Sequence, residues 1–217
     1  YCLVKLQQDK QYPLHSDLAI LLTTSGSTGS PKLVRLSYEN VLANAQSIAQ
    51  YLSIDSTERP ITTLPMHYSF GLSVINSHLL KGATLLLTTR SLMEKEFWAF
   101  LKSVKATSLS GVPYTYEMLK RLRIFRMDLP DLKTLTQAGG KLNIELTKEF
   151  ATYCLENDKR FFVMYGQTEA TARMSYLPCE QSLSKAGSIG IAIPKGNFQL
   201  IDENKNQIEG TDKTGEL

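Results

Sequence analysis

A loop rich in glycine and hydroxyl residues is the part of the sequence best suited to hold an anion. Residues 23–32 read Thr-Thr-Ser-Gly-Ser-Thr-Gly-Ser-Pro-Lys, and we expect a strand before this loop and a helix after it. Glycines let backbone N–H groups gather around an anion, hydroxyl groups add donors, and Lys32 supplies a positive charge. Because Pro31 precedes Lys32, the loop is not a Walker A motif. The pattern indicates a site for a triphosphate, and its alternative is a flexible polar turn.

Three other segments of unusual composition each follow a predicted strand. They are residues 65–71 (Pro-Met-His-Tyr-Ser-Phe-Gly), 138–141 (Ala-Gly-Gly-Lys) and 165–171 (Tyr-Gly-Gln-Thr-Glu-Ala-Thr). In open α/β sheets, ligands bind outside the carboxyl ends of the strands. We therefore expect these segments and the Gly-rich loop to lie together at one edge of a sheet.

The periodicity of apolar residues predicts alternating strands and helices through most of the chain. The predicted strands are 18–23, 61–64, 83–88, 107–110, 132–136 and 161–164, and the predicted helices are 41–52, 72–80, 94–104, 114–124 and 144–156. Ser37, with Asn40 three residues later, is expected to cap the first helix. This alternation predicts an α/β fold with a mainly parallel sheet of βαβ units, flanked by helices.

The pattern changes in the last part of the chain. Short strands at 188–193 and 197–201 and a turn at 202–206 predict the start of a small antiparallel β appendage. We expect an α/β core at residues 1–185 and the start of a β-rich subdomain at residues 186–217. The chain opens on Tyr1 and closes on Thr-Gly-Glu-Leu, which resembles an unfinished strand. It is therefore expected to be a piece of a larger domain.

Composition excludes several classes of protein. The 217 residues carry 24 Lys and Arg against 21 Asp and Glu, and this small, dispersed surplus argues against nucleic acid as a partner. The apolar runs are far shorter than the roughly 20 residues that span a bilayer. The three cysteines are scattered, and no His or Cys pair has the spacing of a structural zinc site. These features favour a cytoplasmic protein.

In their order along the chain, the four segments resemble motifs of the AMP-forming adenylating enzymes, which include acyl- and aryl-CoA synthetases, luciferases and nonribosomal adenylation domains. Residues 24–32 resemble the phosphate loop of that family, and residues 64–72 its "LPxxHxxG" segment beside the acyl pocket. Residues 138–142 resemble the Gly-Gly turn against the adenine, and residues 164–170 the "YGxTE" motif. Residues 187–190 and 214–217 also fit. The resemblance covers nearly the whole chain. The resemblance implies that the chain covers under half of a typical member. We therefore expect the first part of the large domain, the ribose-binding Asp and the C-terminal lid domain with its catalytic lysine to lie outside it.

The resemblance implies activation of a carboxylic acid by ATP and Mg²⁺. Lys32 and the loop hydroxyls would hold the β- and γ-phosphates, Thr168 the α-phosphate, and Glu169 the Mg²⁺. Tyr165 would stack on adenine, while His67 would form a steric and polar gate beside the carboxylate. The residues implied to carry the chemistry are Lys32, His67, Thr168 and Glu169. Those implied to bind the nucleotide are Thr24, Ser25, Gly26, Ser27, Thr28, Gly29, Lys32, Gly139, Gly140, Tyr165, Gly166, Gln167 and Thr168. Those implied to line the acyl pocket are His67, Tyr68, Phe70, Gly71, Gly111 and Tyr114.

Three functions fit this resemblance: an acid–CoA ligase, an adenylation domain that loads an amino acid or acyl group onto a carrier protein, and a nucleotide-binding relic without activity. Amino-acid activators of the family usually place an Asp after the aromatic that corresponds to Phe70. Here Gly71 follows Phe70, and no acidic residue occurs between Ile61 and Lys81. Because a buried ammonium without a partner is costly, we favour an acid without an α-amine, with CoA as the acceptor. The chain by itself is not expected to complete the reaction.

Overall fold

Strands and helices alternate through residues 13–24 and 32–217, which the computed structural model describes. The strands are β1 (Leu18–Thr23), β2 (Leu33–Ser37), β3 (Pro60–Ile61), β4 (Ser108–Gly111), β5 (Thr134–Gln137), β6 (Arg160–Tyr165), β7 (Ser175–Leu177) and β8 (Ile191–Ala192). The helices are α1 (Tyr38–Tyr51), α2 (Ser69–Leu80), α3 (Lys95–Ser103), α4 (Pro113–Arg121) and α5 (Ile144–Glu156). Single 3₁₀ turns occur at Ile124–Arg126, Thr168–Ala170 and Cys179–Gln181.

The main sheet has the order β3-β4-β5-β6-β7-β8. Strands β3 to β6 are parallel, whereas β7 and β8 are each antiparallel to the strand before them. This confirms the prediction of a mainly parallel α/β sheet. Near the C-terminal end, Ile201 forms antiparallel bridges with Gln207 and Glu216, as expected for the start of a small β appendage. Strand β8 lies beyond residue 186 and still belongs to the main sheet. The division into two domains at that residue stays a prediction.

The Gly-rich loop joins two strands, and the prediction that a helix follows it directly was wrong. Strands β1 and β2 form an antiparallel hairpin in which Thr23 pairs with Leu33, and the N–H of Thr24 donates to the carbonyl of Lys32 over 3.4 Å. Strand β2 alternates in burial, with Leu36 only 4% exposed and Arg35 exposed. At five residues it is too short for that alternation to stand out from a polar loop.

Other strand predictions also differ from the structure. The strand predicted at 188–193 is reduced to the two residues of β8, and the one predicted at 197–201 to the bridges of Ile201. The strand predicted at 83–88 is reduced to a single parallel bridge between Ile61 and Leu86, and β3 is two residues long. Strand β7 was missed. It is three residues long, which is below the length at which an apolar run is distinguishable from a loop.

Alternate side chains along each strand point to opposite faces of the sheet and pack into two different layers. Leu109, Leu135 and Phe161 point into a core formed with α3, α4 and α5, whereas Phe162 and Met164 pack with α1 and α2. This division follows from the two-residue period of a strand. In the second layer, α1 begins in a capping box, in which the side chains of Ser37 and Asn40 each accept a hydrogen bond from the other residue's backbone N–H. The cap confirms the prediction made for Ser37.

In the part of the chain covered by the structure, no helix combines the length and the apolar character needed to cross a membrane.

Candidate active site

Three of the segments singled out in the sequence lie at one edge of the sheet. Strands β4, β5 and β6 are parallel and in register, so that Gly111 lies beside Gln137, and Gln137 beside Val163. The turns that follow these strands therefore meet at the carboxyl edge. The N–H of Ala138, at the start of the Gly-Gly turn, donates to the carbonyl of Gly111 over 3.2 Å.

The Gly-Gly turn is held closely between two neighbouring segments. Gly139 has φ of +77°, and a Cβ there would meet the hydroxyl of Tyr68 and lie 3.1 Å from Cγ1 of Val112. Gly140 has φ of +155°, and a Cβ there would lie 3.1 Å from Cγ of Pro113. Both the backbone conformation and the available space therefore require glycine at position 139.

The buried side chain of Gln137 holds this turn by a hydrogen bond, a role that the sequence analysis missed. Its side chain is fully buried, and its Nε2 donates to the carbonyl of Gly140 over 2.8 Å. Its Oε1 has no hydrogen-bond partner in the parts of the chain that the structure covers. Little in the sequence marked this position, because Gln137 ends a strand that reads Thr-Leu-Thr-Gln.

The segment after β6 folds into a tight turn that presents Thr168 and Glu169. A Cβ on Gly166 would overlap the carbonyl oxygen of Ala172, and the N–H of Ala172 donates to the carbonyl of Gln167 over 3.1 Å. Thr171 and Ala172 have φ of +59° and +84°, which costs about 1–2 kcal/mol for each L-residue. We call residues 166–172 the 166–172 turn. Strain of this kind persists only where surrounding contacts hold it.

A side-chain contact joins this turn to the start of α2. Oγ of Ser69 and Oγ1 of Thr168 lie 3.1 Å apart, and both residues are half-buried. Ser69 is the first residue of α2, whose first N–H groups have no partner within the helix. The contact brings the segment at 65–71 and the 166–172 turn together.

His67 lies outside this set. Its side chain is exposed, and it makes none of the hydrogen bonds found in the described ranges. Tyr68 instead reaches Gly139. Counting the pattern "LPxxHxxG" from Leu64 puts Tyr68 at its fifth position, which is the histidine of the pattern, and Gly71 at its eighth. The gate role implied for His67 stays a prediction.

The residues implied to line the acyl pocket differ in exposure. Phe70 is 3% exposed and packs between α1, α2 and β6, so it lies in the core instead of facing the open edge. Tyr68 contacts it edge-on, with ring centroids 6.2 Å apart. Tyr114 is exposed, and Gly111 is buried against Thr115. Two of these residues contact the Gly-Gly turn: Tyr68 through its side chain at Gly139, and Gly111 through its carbonyl, which accepts the N–H of Ala138.

The hairpin that carries the Gly-rich loop lies beside the same edge. Strand β2 is in contact with the Thr168–Ala170 turn, and Leu22 and Leu36 share a small cavity with Ser69, Thr171 and Ala172. Lys32 and Thr24 flank the loop. The predicted nucleotide-binding residues Ser25, Gly26, Ser27, Thr28 and Gly29 lie outside the described residues.

The 166–172 turn carries a carboxylate at this edge that is suited to a metal ion. Glu169 is exposed in the Thr168–Ala170 turn, and within residues 13–24 and 32–217 no group of three or more His, Cys, Asp or Glu side chains could hold a metal by itself. Mg²⁺ typically takes one or two carboxylates and completes its shell with phosphate oxygens and water. Glu169 fits this kind of site, in which nucleotide phosphates supply further ligands.

The chain resembles curated proteins over most of its length. The chain is 28% identical over 214 residues to 4-coumarate–CoA ligase-like 2 of Arabidopsis thaliana, covering 96% of this chain and 37% of that protein. It is 28% identical over 194 residues to a linear gramicidin synthase of Brevibacillus parabrevis, covering 88% of this chain and 2% of that protein. The chain thus spans little more than a third of the length of the plant ligase.

Solved structures show the same fold. The o-succinylbenzoate coenzyme A synthetase of Bacillus subtilis, in complex with ATP and magnesium ion, superposes with a TM-score of 0.76 at 26% identity over 88% of this chain and 39% of that one. The model of the AMP-binding enzyme family matches residues 4–217. The chain therefore belongs to the AMP-binding enzyme family.

Proposed function

We propose that the protein activates a carboxylic acid with ATP and transfers the acyl group to CoA. In the first step, an oxygen of the carboxylate attacks the α-phosphorus, the bond to the β-phosphate breaks, and pyrophosphate leaves. In the second step, the thiol of CoA attacks the acyl carbon, and AMP leaves. The observation that carries this proposal is the contact between Ser69 and Thr168, because it joins the acyl-side segment to the proposed phosphate-side turn.

Residues of this chain would position the groups and stabilise the developing charge. One proton suffices for the bond between the Ser69 and Thr168 hydroxyls, so the second hydroxyl proton is free to donate to an α-phosphate oxygen. Lys32 would neutralise the β- and γ-phosphates. Mg²⁺, held through Glu169, would supply charge neutralisation for the leaving pyrophosphate. Such preorganised charge stabilisation is commonly the largest contribution to catalysis.

The surroundings of Phe70 support an acid without an α-amine. No acidic residue lies between Ile61 and Lys81 to receive an ammonium group. An amino-acid substrate is therefore disfavoured.

CoA is the proposed acceptor, since several relatives are named as CoA ligases. The similar match to a linear gramicidin synthase keeps a carrier protein as the second candidate acceptor. The mildly charged composition argues against nucleic acid as a partner, and the scattered cysteines support a cytoplasmic location.

The test is ATP–pyrophosphate exchange by the full-length protein with a panel of carboxylic acids and amino acids. We expect Mg²⁺-dependent exchange with at least one acid that has no α-amine, and thioester formation when CoA is added. The Thr168→Ala variant is the matched negative control. Exchange with proteinogenic amino acids alone would reverse the choice of substrate, and the absence of exchange with every acid would refute the proposed function.

A further inference from the structure

Arg173 is a buried cation for which the fold provides no carboxylate. Its side chain is 1% exposed, and among the described residues no Asp or Glu lies within ion-pair distance of it. Nη1 donates to the hydroxyl of Tyr51 over 3.1 Å and lies against Sδ of Met164. Nε has no partner in the same part of the chain. Burying a charge without its counter-ion is unfavourable, so packing alone does not explain an arginine at this position.

The backbone of Arg173 closes the 166–172 turn. Its carbonyl accepts a hydrogen bond of 2.8 Å from Nδ2 of the buried Asn44 on α1. The next residue, Met174, donates its N–H to the carbonyl of Tyr165 over 2.9 Å. Arg173 therefore fixes the end of the strained turn that carries Thr168 and Glu169.

The side chain of Arg173 reaches from this turn to the start of α2. Its guanidinium lies 4.4 Å from the centroid of the Phe70 ring, which is the geometry of a cation–π contact. Phe70 directly follows Ser69, whose hydroxyl lies 3.1 Å from that of Thr168. Arg173 thus contacts Phe70, and the neighbouring Ser69 contacts Thr168. The backbone of the 166–172 turn leads from Thr168 back to Arg173.

We propose that Arg173 is a positioning residue for acid activation: by holding the Phe70 ring, it keeps the start of α2 in register with the 166–172 turn, so that Ser69 and Thr168 point together at the reacting phosphate. The proposal rests on the proposed function. It explains the buried charge, since a guanidinium bonds a hydroxyl at its edge and an aromatic ring at its face at the same time. An aliphatic side chain would provide neither contact.

The kinetic test compares Arg173→Met, Phe70→Leu and the double variant in the full-length protein by ATP–pyrophosphate exchange. We expect Arg173→Met to lower kcat at least tenfold, while KM for ATP and for the acid stays within about threefold, because misplacement by about 1 Å costs up to 100-fold in rate. If Arg173 acts through Phe70, the kcat of the double variant should lie within about twofold of the kcat of the slower single variant. Arg173→Lys should recover only part of the loss, since an ammonium lies favourably over a ring but cannot bond the Tyr51 hydroxyl at its edge at the same time.

The matched control is Arg90→Met. The guanidinium of Arg90 lies over the Phe100 ring at 5.4 Å, but this pair is at α3 and away from the 166–172 turn. We expect unchanged kinetics. Wild-type kcat in Arg173→Met, or additive losses in the double variant, would overturn the proposal. A raised KM for the acid with unchanged kcat would also overturn it, because it would make Arg173 a substrate-binding residue.

Amide hydrogen exchange tests the same positioning without any turnover. The N–H groups of Ala170 and Ala172 both donate to the carbonyl of Gln167 across the turn. In Arg173→Met we expect these two amides to exchange at least tenfold faster, with the amides of α5 unchanged. If the wild type activates no acid, the proposed function fails, and this measurement still decides the role of Arg173: unchanged exchange at Ala170 and Ala172 would refute it.

Discussion

Replacing Gly139 by alanine perturbs the candidate site at the point where two of its segments touch. The φ of +77° at Gly139 places an alanine in the left-handed region, at a cost of about 1–2 kcal/mol. The new Cβ would also meet the Tyr68 hydroxyl and lie 3.1 Å from Val112 Cγ1. Forcing Tyr68 out of its rotamer adds about 0.5–1.5 kcal/mol, so that we expect a total destabilisation of about 1.5–3.5 kcal/mol.

Gly82 provides the matched control for the backbone contribution. Its φ of +70° is similar, but a Cβ there would have only Ser56 Cβ near it, at 3.9 Å. Gly82→Ala should therefore show the left-handed cost alone, about 1–2 kcal/mol. The gain that both variants obtain from a less flexible unfolded chain is the same and cancels in the comparison.

The assay is denaturant unfolding of the full-length protein, with ATP–pyrophosphate exchange measured on the same samples. Gly139→Ala should be more destabilising than Gly82→Ala, and it should lower exchange at least tenfold while Gly82→Ala leaves it unchanged. Adding Tyr68→Phe to Gly139→Ala removes the overlapping hydroxyl and should restore part of the stability. Equal destabilisation by the two single alanine variants would refute the contact between Tyr68 and Gly139.

Three further variants test separate parts of the account. Lys32→Ala should lower acyl-adenylate formation at least tenfold, about 1.4 kcal/mol, and unchanged exchange would remove Lys32 from the proposed phosphate site. Glu169→Gln should raise the Mg²⁺ concentration needed for half-maximal exchange while hardly changing the unfolding midpoint, and a normal Mg²⁺ response would make Glu169 a surface carboxylate only. Burial lowers the pKa of His78, so the unfolded chain binds a proton that the native state does not. The free energy of unfolding should therefore fall as the pH drops below about 6.5, by up to about 1.4 kcal/mol per pH unit. His78→Gln should reduce this pH dependence, measured by urea unfolding at pH 7.5 and 5.5. An unchanged pH dependence would show that His78 is not its source.

Local sequence signals were sufficient where an element is long or has a definite cap. The helix predicted at 144–156 matches α5, and the Ser37 cap is present as predicted. The meeting of three turns at one sheet edge followed from the parallel arrangement of the strands. These features depend on residues close together in sequence or on a general rule of sheet topology.

Features that depend on contacts between distant segments were not predictable in the same way. The hairpin β1–β2 depends on pairing across the Gly-rich loop. The roles proposed for Gln137 and Arg173 depend on which buried polar groups the fold brings together. The position of Tyr68 in the "LPxxHxxG" pattern is different in kind, since counting the spacing from Leu64 gives it from the sequence alone.

The central claim, attack of a carboxylate on the α-phosphorus of ATP, is tested most directly by isotope transfer. The full-length protein is supplied with a carboxylic acid labelled with ¹⁸O in both oxygens, ATP, Mg²⁺ and CoA, and the products are analysed by mass spectrometry. Attack on the α-phosphorus predicts AMP that carries one ¹⁸O atom, together with unlabelled pyrophosphate. Label in inorganic phosphate with ADP as the nucleotide product would show attack on the γ-phosphorus and would contradict the account.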